Sequence, residues 1–373
     1  MRTCRIVTVL ALFLVSTPSS WAQHSAPAVA PTPLRFPEVV GDARELVETA
    51  LVEEDYPGIA IAVSVEGQTV WSEGFGYADL EHRIPMTPAI MFRVGSIAKP
   101  MTAAAVVTLV EAGQLDLDAP IQRYVASFPE KRQPITTRQL GGHLAGIRHY
   151  DGDEMLIRDR YDTVTASLAI FKNDPLLHAP GTKYSYSSYG YNLISAVIEG
   201  ASGQNFLSYM REAVFRPLAM NQTVADHVTS LIPHRAGFYQ RNGDGALVNA
   251  PYVNNSYKWA GGGFLSTTED VLRFANAHLE DAFLSASQKE ILFMEQRTTD
   301  GAGVGYGFGW FVRADDAGWP LLSHSGGSVG GTSLMVMQPD TGVVVVGLVN
   351  QGQANLDVIR EVLRRFVRAA AGR

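Results

Sequence analysis

Two hairpins at opposite ends of the chain constrain its fold more than anything between them. Near the amino terminus "GIAIAVSVEGQTVWSEGFGYA" reads as two strands around a turn at Glu66-Gly67-Gln68, and near the carboxyl terminus "SLMVMQPDTGVVVVGLVNQ" reads as two more, turning at "PDTG". The helical spacing of "DARELVETALVEE" precedes the first hairpin, and "NLDVIREVLRRFVRAAA" follows the second. Strands beside terminal helices predict one antiparallel sheet, assembled from both ends of the chain and covered by helices. The middle reads mainly as helices and long loops. The expected architecture is therefore α/β of the α+β type: a sheet lobe from residues 41–100 and 255–373, a mainly helical lobe from 101–254, and a cleft between them.

The start of the chain carries other information. Residues 1–22 hold Arg2 and Arg5, an apolar run from Ile6 to Val15, and small residues up to Ala22. This is the pattern of a secretory signal peptide, and its apolar run is too short for a bilayer span, which needs about 20 residues. Residues 23–40 are rich in Pro and Ala and read as an extended leader, with the fold beginning near Asp42. The single cysteine, Cys4, lies inside the signal segment, so the exported chain would have no thiol and no cysteine metal site. Losing Arg2 and Arg5 takes the formal charge from -7 to -9. An acidic chain exported to the periplasm or the medium is a poor partner for nucleic acid, and no stable membrane insertion is expected.

Three segments can carry chemistry. In "FRVGSIAKPMTAAAVVTLVEAG" the residues from Met101 to Ala112 are apolar almost all round, which predicts a buried helix stopped at Gly113. Ser96 and Lys99 stand at its start, three residues apart on one face, close enough for the amine to take the hydroxyl proton. The positive end of the helix would favour a developing oxyanion. To act as base near neutrality Lys99 must lose roughly 3 units of pKa, which calls for burial or a neighbouring cation. An ordinary N-cap serine beside a solvated lysine would leave the same pattern, although this is the one Ser-x-x-Lys in the chain. In the second segment, "HAPGTKYSYSSYGYNLISAVIEGASG", Tyr186 precedes an amphipathic helix, where its phenol could relay protons to and from Ser96. Half-buried aromatics with wet hydroxyls are the plainer reading.

The third segment is "LLSHSGGSVGGTSLMVMQ". Its His324-Ser325-Gly326-Gly327 could present backbone N–H groups to an acyl oxygen and pair with an extended substrate, or be no more than a glycine-rich turn. Gly326-Gly327-Ser328-Val329-Gly330 also matches the G-x-S-x-G nucleophile elbow. That motif needs a helix after the serine and a histidine later in the chain, and neither is found. His143 and His149 are expected to be structural rather than a metal pair.

In order and position these segments resemble the penicillin-binding protein and class C β-lactamase superfamily of serine hydrolases, of the S12 peptidase type, over nearly the whole mature chain. "GQLDLDAPIQRY", "PGTKYSYSSYGYNL", "GGGFLSTTEDVLRF" and "YGFGW" support it, while "GGHLAGIRHY", "FKNDPLL" and "APYVNNSYKWAGGGFLST" are similar to its mitochondrial serine β-lactamase-like branch. The resemblance implies Ser96 as acylated nucleophile, Lys99 as its proton partner, Tyr186 as general base and His324 as first residue of the third motif. It also implies an oxyanion hole from the N–H groups of Ser96 and Gly327, substrate contacts from Ser188, Ser325 and Gly326, and no metal or organic cofactor. Two departures follow. Ser188 stands where the β-lactamase pattern has a side-chain amide, which disfavours efficient β-lactam hydrolysis. His324 stands where that pattern has a lysine, so activity on substrates with a free carboxylate is expected to rise as pH falls through the histidine's pKa. The function implied is an exported peptidase or amidase acting on a small peptide, amide or ester through an acyl-enzyme, with weak β-lactamase activity. A promiscuous carboxylesterase and a silent ligand-binding or scaffold protein are the alternatives. Nothing in the sequence specifies an oligomer.

Overall fold

The computed structural model describes Met1 and residues 36–315 and 317–372; the expected signal peptide, Met1 apart, and the leader as far as residue 35 lie outside the described residues. The first element is helix α1 (Pro37–Glu53), so helix begins inside the stretch 23–40 expected to be extended. The reason is local. Pro37 sits at the first helical position, where its fixed φ suits the turn and its missing N–H costs no bond, so here it starts a helix instead of interrupting one.

A seven-stranded antiparallel sheet forms the frame, in the order β3-β2-β1-β12-β11-β10-β9. Its strands are β1 (Gly58–Val65), β2 (Gln68–Asp79), β3 (Ile84–Pro85), β9 (Phe311–Ala314), β10 (Pro320–Ser328), β11 (Gly331–Gln338) and β12 (Val343–Val349). The two sequence-legible hairpins meet at its centre, where β1 pairs with β12 from Ile59↔Val349 to Val65↔Val343. The first hairpin turns with both Glu66 and Gly67 at positive φ, the geometry of a two-residue hairpin loop whose twist matches the flanking strands.

Both faces of the sheet are covered, which is why its central strands read as continuous apolar runs. Ile59, Ile61, Val63, Val345 and Val349 pack with α1 and the last helix, α10 (Asp357–Ala370), in one core. Ala60, Ala62, Val344, Val346 and Leu348 face the other way and join the larger core. There the sheet meets α8 (Thr268–Leu279), and Ser64 Oγ donates to Asn276 Oδ1 at 2.7 Å across the junction. The N-cap of α8 is Thr267, whose side chain accepts from the Asp270 N–H as its spacing predicts.

The larger core is built around α2 (Ala98–Glu111), where eleven of fourteen residues are buried. Packed on α2 are α5 (Ser188–Ser202), the short helix α7 (Trp259–Gly262) and α9 (Ala286–Phe293). Three shorter helices complete the region: α3 (Thr137–Gly141), α4 (Val164–Ser167) and α6 (Phe206–Met210). A small sheet in the order β4-β8-β5 joins β4 (Phe92–Arg93), β5 (Val224–Ala225) and β8 (Phe264–Ser266), and β6 (Tyr239–Arg241) with β7 (Leu247–Asn249) forms a separate hairpin. No helix among the described residues is long and apolar enough to cross a membrane.

Candidate active site

The Ser-x-x-Lys pair stands where a strand becomes a helix. Behind β4 the chain makes one 3₁₀ turn, Gly95–Ile97, and continues as α2. With three residues per turn, positions i and i+3 eclipse, and Lys99 Nζ comes to 2.9 Å from Ser96 Oγ. The turn is held against the sheet by Ser333, whose hydroxyl donates to the Val94 carbonyl at 2.7 Å. At this contact β10 has no room for a side chain: a Cβ on Gly326 would lie 2.0 Å from the Val94 carbonyl oxygen and 2.9 Å from the Ser96 nitrogen. Gly326 is therefore a buried spacer, not the substrate contact expected of it. Its neighbour Gly327 is exposed and lines the cleft beside Ser96.

Lys99 is fully buried and touches no carboxylate among the described residues. Besides Ser96, its Nζ meets Ser188 Oγ at 3.0 Å and the Gly261 carbonyl oxygen, at the end of α7, at 2.8 Å. Burial first, and then the charge of Lys258, push its pKa well below the ordinary lysine value. Nζ donates to Ser96, Ser188 and Gly261, and once deprotonated it can keep the last two bonds while its lone pair accepts the Ser96 hydroxyl proton. Ser188 is buried in this arrangement. It holds Lys99 from the first turn of α5, so its hydroxyl is not the free substrate group that the sequence suggested.

Tyr186 lies just before the N-cap of α5, Ser187. Its ring is 4.8 Å from Lys99 Nζ, and its hydroxyl is in reach of Ser96. Burial raises the phenol pKa far more than the Ser96 contact lowers it, so the resting group is a protonated phenol. The general base that the resemblance implied thus rests as a phenol, in reach of Ser96 and beside Lys99. Two histidines hold the Tyr186 turn. The Ser187 N–H donates to His143 Nδ1 and the Ser188 N–H to His149 Nδ1, each at 3.1 Å. Burial holds His143 well below the usual histidine value and His149 down to about 4, so both remain acceptors.

His324 has no charge to offer. Its Nδ1 lies 2.6 Å from the Ser325 carbonyl oxygen, which can only accept, so the ring proton is there. Its Nε2, 2.9 Å from Tyr306 Oη, must then accept from that phenol. Burial and the nearby Lys99 bring its pKa down to about 3. The expected gain of carboxylate affinity through His324 protonation is disfavoured, because burial opposes the charge and a proton on Nε2 would turn the Tyr306 hydroxyl from donor to acceptor.

Ser96, Ser188, Tyr186, His324, Ser325 and Gly327 line one cleft of about 960 Å³, with Lys99 beneath it. Ser328 also lines it, but stands at the end of β10 before a hairpin to β11, and its buried Oγ has no hydrogen-bond partner. A nucleophile elbow needs a helix and a base at that point, so the Ser328 alternative fails on geometry. Alongside β10, β9 pairs only with residues 320–323, so among the described residues the edge from His324 to Ser328 faces the cleft without a strand partner. Sequence reasoning missed Tyr150, Gly261 and Lys258, which complete the walls, and Tyr306, which is buried behind His324.

Residues 43–369 match the family model described as Beta-lactamase. The chain is 34% identical to the human mitochondrial serine beta-lactamase-like protein LACTB, over 82% of this chain and 73% of that one. It is 28% identical to penicillin-binding protein 4* of Bacillus subtilis, over 82% and 70%. Its structure superposes on the octameric penicillin-binding protein homologue of Pyrococcus abyssi with a TM-score of 0.77 and 26% identity, covering 90% of this chain and 78% of the other.

Proposed function

The chain belongs to the beta-lactamase family of serine hydrolases, and on that premise we propose that it is an exported amidase or peptidase working through an acyl-enzyme on Ser96. The observation that carries the reading is the buried Lys99 amine, which has no carboxylate partner and lies 2.9 Å from Ser96 Oγ. Nothing in packing asks for such a group, and burying it without an ion pair is costly unless it is neutral.

In the proposed reaction Ser96 Oγ attacks the substrate carbonyl carbon while its proton passes to Lys99. The oxyanion of the tetrahedral intermediate is received by the N–H groups of Ser96 and Gly327 at the mouth of α2, where the helix dipole adds to both. Collapse breaks the bond to the leaving nitrogen or oxygen, which takes the Tyr186 proton, and Lys99 returns its own proton to the tyrosine. Water then attacks the acyl carbon, Ser96 leaves as the alcohol, and the acid is released. The unpartnered β10 edge supports an extended substrate. With no free side-chain amide at position 188, β-lactams should turn over weakly. A carboxylesterase would use the same steps, and faster turnover of short acyl esters than of matched amides would favour it.

The test is intact-protein mass after treatment with a fluorophosphonate, beside Ser96→Ala. One adduct per chain, lost in the variant, is the expected result. No adduct on folded wild type would favour the silent binding protein, and an adduct that survives Ser96→Ala would place the nucleophile elsewhere. Export is part of the proposal, supported by Arg2, Arg5 and the apolar run after them, and sequencing the amino terminus of the protein recovered outside the cytoplasm checks cleavage after Ala22.

A further inference from the structure

Just past the oxyanion hole, where β10 ends, the cleft wall holds two polar side chains that the fold leaves without partners. Ser328 is 6% exposed and Gln351 4% exposed, both line the cleft, and Ser328 Oγ and Gln351 Oε1 are each buried with no hydrogen-bond partner. The Gln351 side chain makes no hydrogen bond at all among the described residues. Their backbones, by contrast, are tied down. Thr332 Oγ1 donates to the Gln351 carbonyl at 2.7 Å, and Ser328 pairs with Gly331 in the hairpin to β11. A Cβ on Gly352 would lie 3.4 Å from the Ser328 carbonyl oxygen, so the two segments run side by side. Asn350, one residue earlier, donates to the carbonyls of Tyr77 and Gly237 at 3.1 and 3.2 Å. A fixed backbone thus carries two buried polar groups that folding does not satisfy, which costs stability. Packing alone would be served as well by methionine and alanine at these positions. The pair is explained where a ligand supplies the missing partners.

We propose that Gln351, with Ser328 beside it, determines specificity by reading a peptide group in the acyl half of the substrate. A primary amide carries an acceptor and two donors in one plane, so Gln351 can accept the N–H and donate to the carbonyl of a peptide group, while the Ser328 hydroxyl can serve either. The last torsion of a glutamine is soft, and turning the amide about it brings Oε1 to the cleft. Direction along β10 indicates the acyl half. Tyr186, which gives its proton to the leaving group in the proposed reaction, faces His324 at the near end of the open edge, with ring centres 6.4 Å apart. Ser328 closes the same strand four residues further on, roughly 13 Å away at the rise of an extended chain, and follows the Gly327 N–H assigned to the oxyanion. With the leaving group departing at His324, the acyl half runs toward Ser328 and Gln351. The proposal rests on the acyl-enzyme reading for that direction, though not for the binding itself. The substrate class is then an amide or ester whose acyl group is a peptide of at least two residues.

The experiment measures binding in Ser96→Ala protein, so that it reads whether or not the serine reacts. The probes are acetylglycylglycine methylamide and pentanoylglycine methylamide, which are achiral and differ only where one has a peptide group and the other two methylenes. The expected result is binding of the peptide about tenfold tighter, a preference lost in Gln351→Met and reduced to about threefold in Ser328→Ala. The melting temperature of Gln351→Met should stay equal or rise, since no native hydrogen bond is removed. Equal binding of the two probes, or a preference that survives Gln351→Met, would overturn the proposal. A marked fall in the melting temperature of Gln351→Met would overturn it as well, by placing the side chain among the supports of the β10–β11 hairpin. In protein with Ser96 intact the same peptide-to-alkyl ratio, read as kcat/KM on the paired nitroanilides, should be lost in Gln351→Met mainly through KM. Peptide-selective binding without fluorophosphonate labelling would sink the acyl-enzyme reading and leave Gln351 standing. Labelling without selectivity would do the reverse.

Discussion

Beneath the cleft and along it, the chain buries cations in opposite ways. Underneath, Arg93 is 7% exposed and fully engaged: its Nε meets Asp226 at 2.8 Å and its Nη1 donates to the Val329 carbonyl at 2.8 Å. At the side, Arg148 grips Glu154 through both terminal nitrogens and reaches Asp174 as well. At the cleft itself, Lys99 under its floor and Lys258 in its wall are more deeply buried than either arginine and have no carboxylate partner among the described residues. Arginine, always charged and with planar donors, is used where a charge must be neutralised to hold structure; lysine, whose pKa yields to burial, is used where a group must be able to change state. The contrast separates groups that support the fold from groups that cost it stability.

The comparison breaks most sharply at Lys99. Lys99→Met should slow fluorophosphonate labelling of Ser96 by about 10²–10⁴-fold, the ordinary worth of a positioned base. The melting temperature of the same variant should stay equal or rise, because methionine fills the site without a proton to lose. The sign is checked by pH. The unfolded chain binds a proton at Lys99 up to its ordinary value near 10.5, and the folded chain only at much lower pH. Between those values the unfolded state holds more protons, so wild-type stability rises with pH through the alkaline range and the increment disappears in Lys99→Met. A large drop in melting temperature for this variant would place Lys99 with the arginines.

Arg93→Met should do the opposite. It leaves the fully buried Asp226 without its main partner, a change that costs about 3–5 kcal/mol when a buried pair is broken on one side. Arg235, 3.7 Å away, can take up part of the charge, which puts the expectation at the lower end. Denaturant unfolding measures it. A loss well under 1 kcal/mol would mean that the pair beneath the cleft is no more structural than the lysines above it.

What could be read from the sequence, and what could not, follows the range of the interactions involved. The hairpins, α2 and α5 were legible because each is a pattern within about twenty residues. Lys99 and Ser96 were legible for the same reason, being one turn apart. The histidines that hold the Tyr186 turn were not, since His143 and His149 lie 44 and 39 residues from the amides they accept. Lys258 sits in "NNSYKWAGGGFLST", a stretch that signalled only a resemblance, because nothing local says that its ammonium emerges between Tyr150 and Tyr257. Ser188 and Gly326 were placed in the right neighbourhood with the wrong task. At the start of a helix or inside a strand, sequence gives the position of a residue but not what its side chain, or its lack of one, will face. Pro37 was misread for a related cause: proline stops a helix in its interior and starts one at its first turn.

The smallest expected effect concerns His324, a cleft group on which sequence and geometry disagree about charge. If the residue served as a weak substitute for a lysine, activity on an acidic substrate would rise in acid, and His324→Gln would flatten that rise. Its two ring nitrogens are instead held by Ser325 and Tyr306, and no charge develops until about pH 3. Between about pH 5 and 8 the pH profile of kcat/KM should therefore be the same in His324→Gln as in wild type. The rate itself should fall by no more than about tenfold, the value of one neutral hydrogen bond lost to Tyr306. What does titrate in that window is Lys258, drawn down to about 7 by burial and by Arg93 against the pull of Asp226. Whatever inflection Lys258 contributes near that pH should appear in wild type and in His324→Gln alike. A profile that changes with His324 and not with Lys258 would restore the titrating β10 group expected from the sequence and place Lys258 with the structural cations.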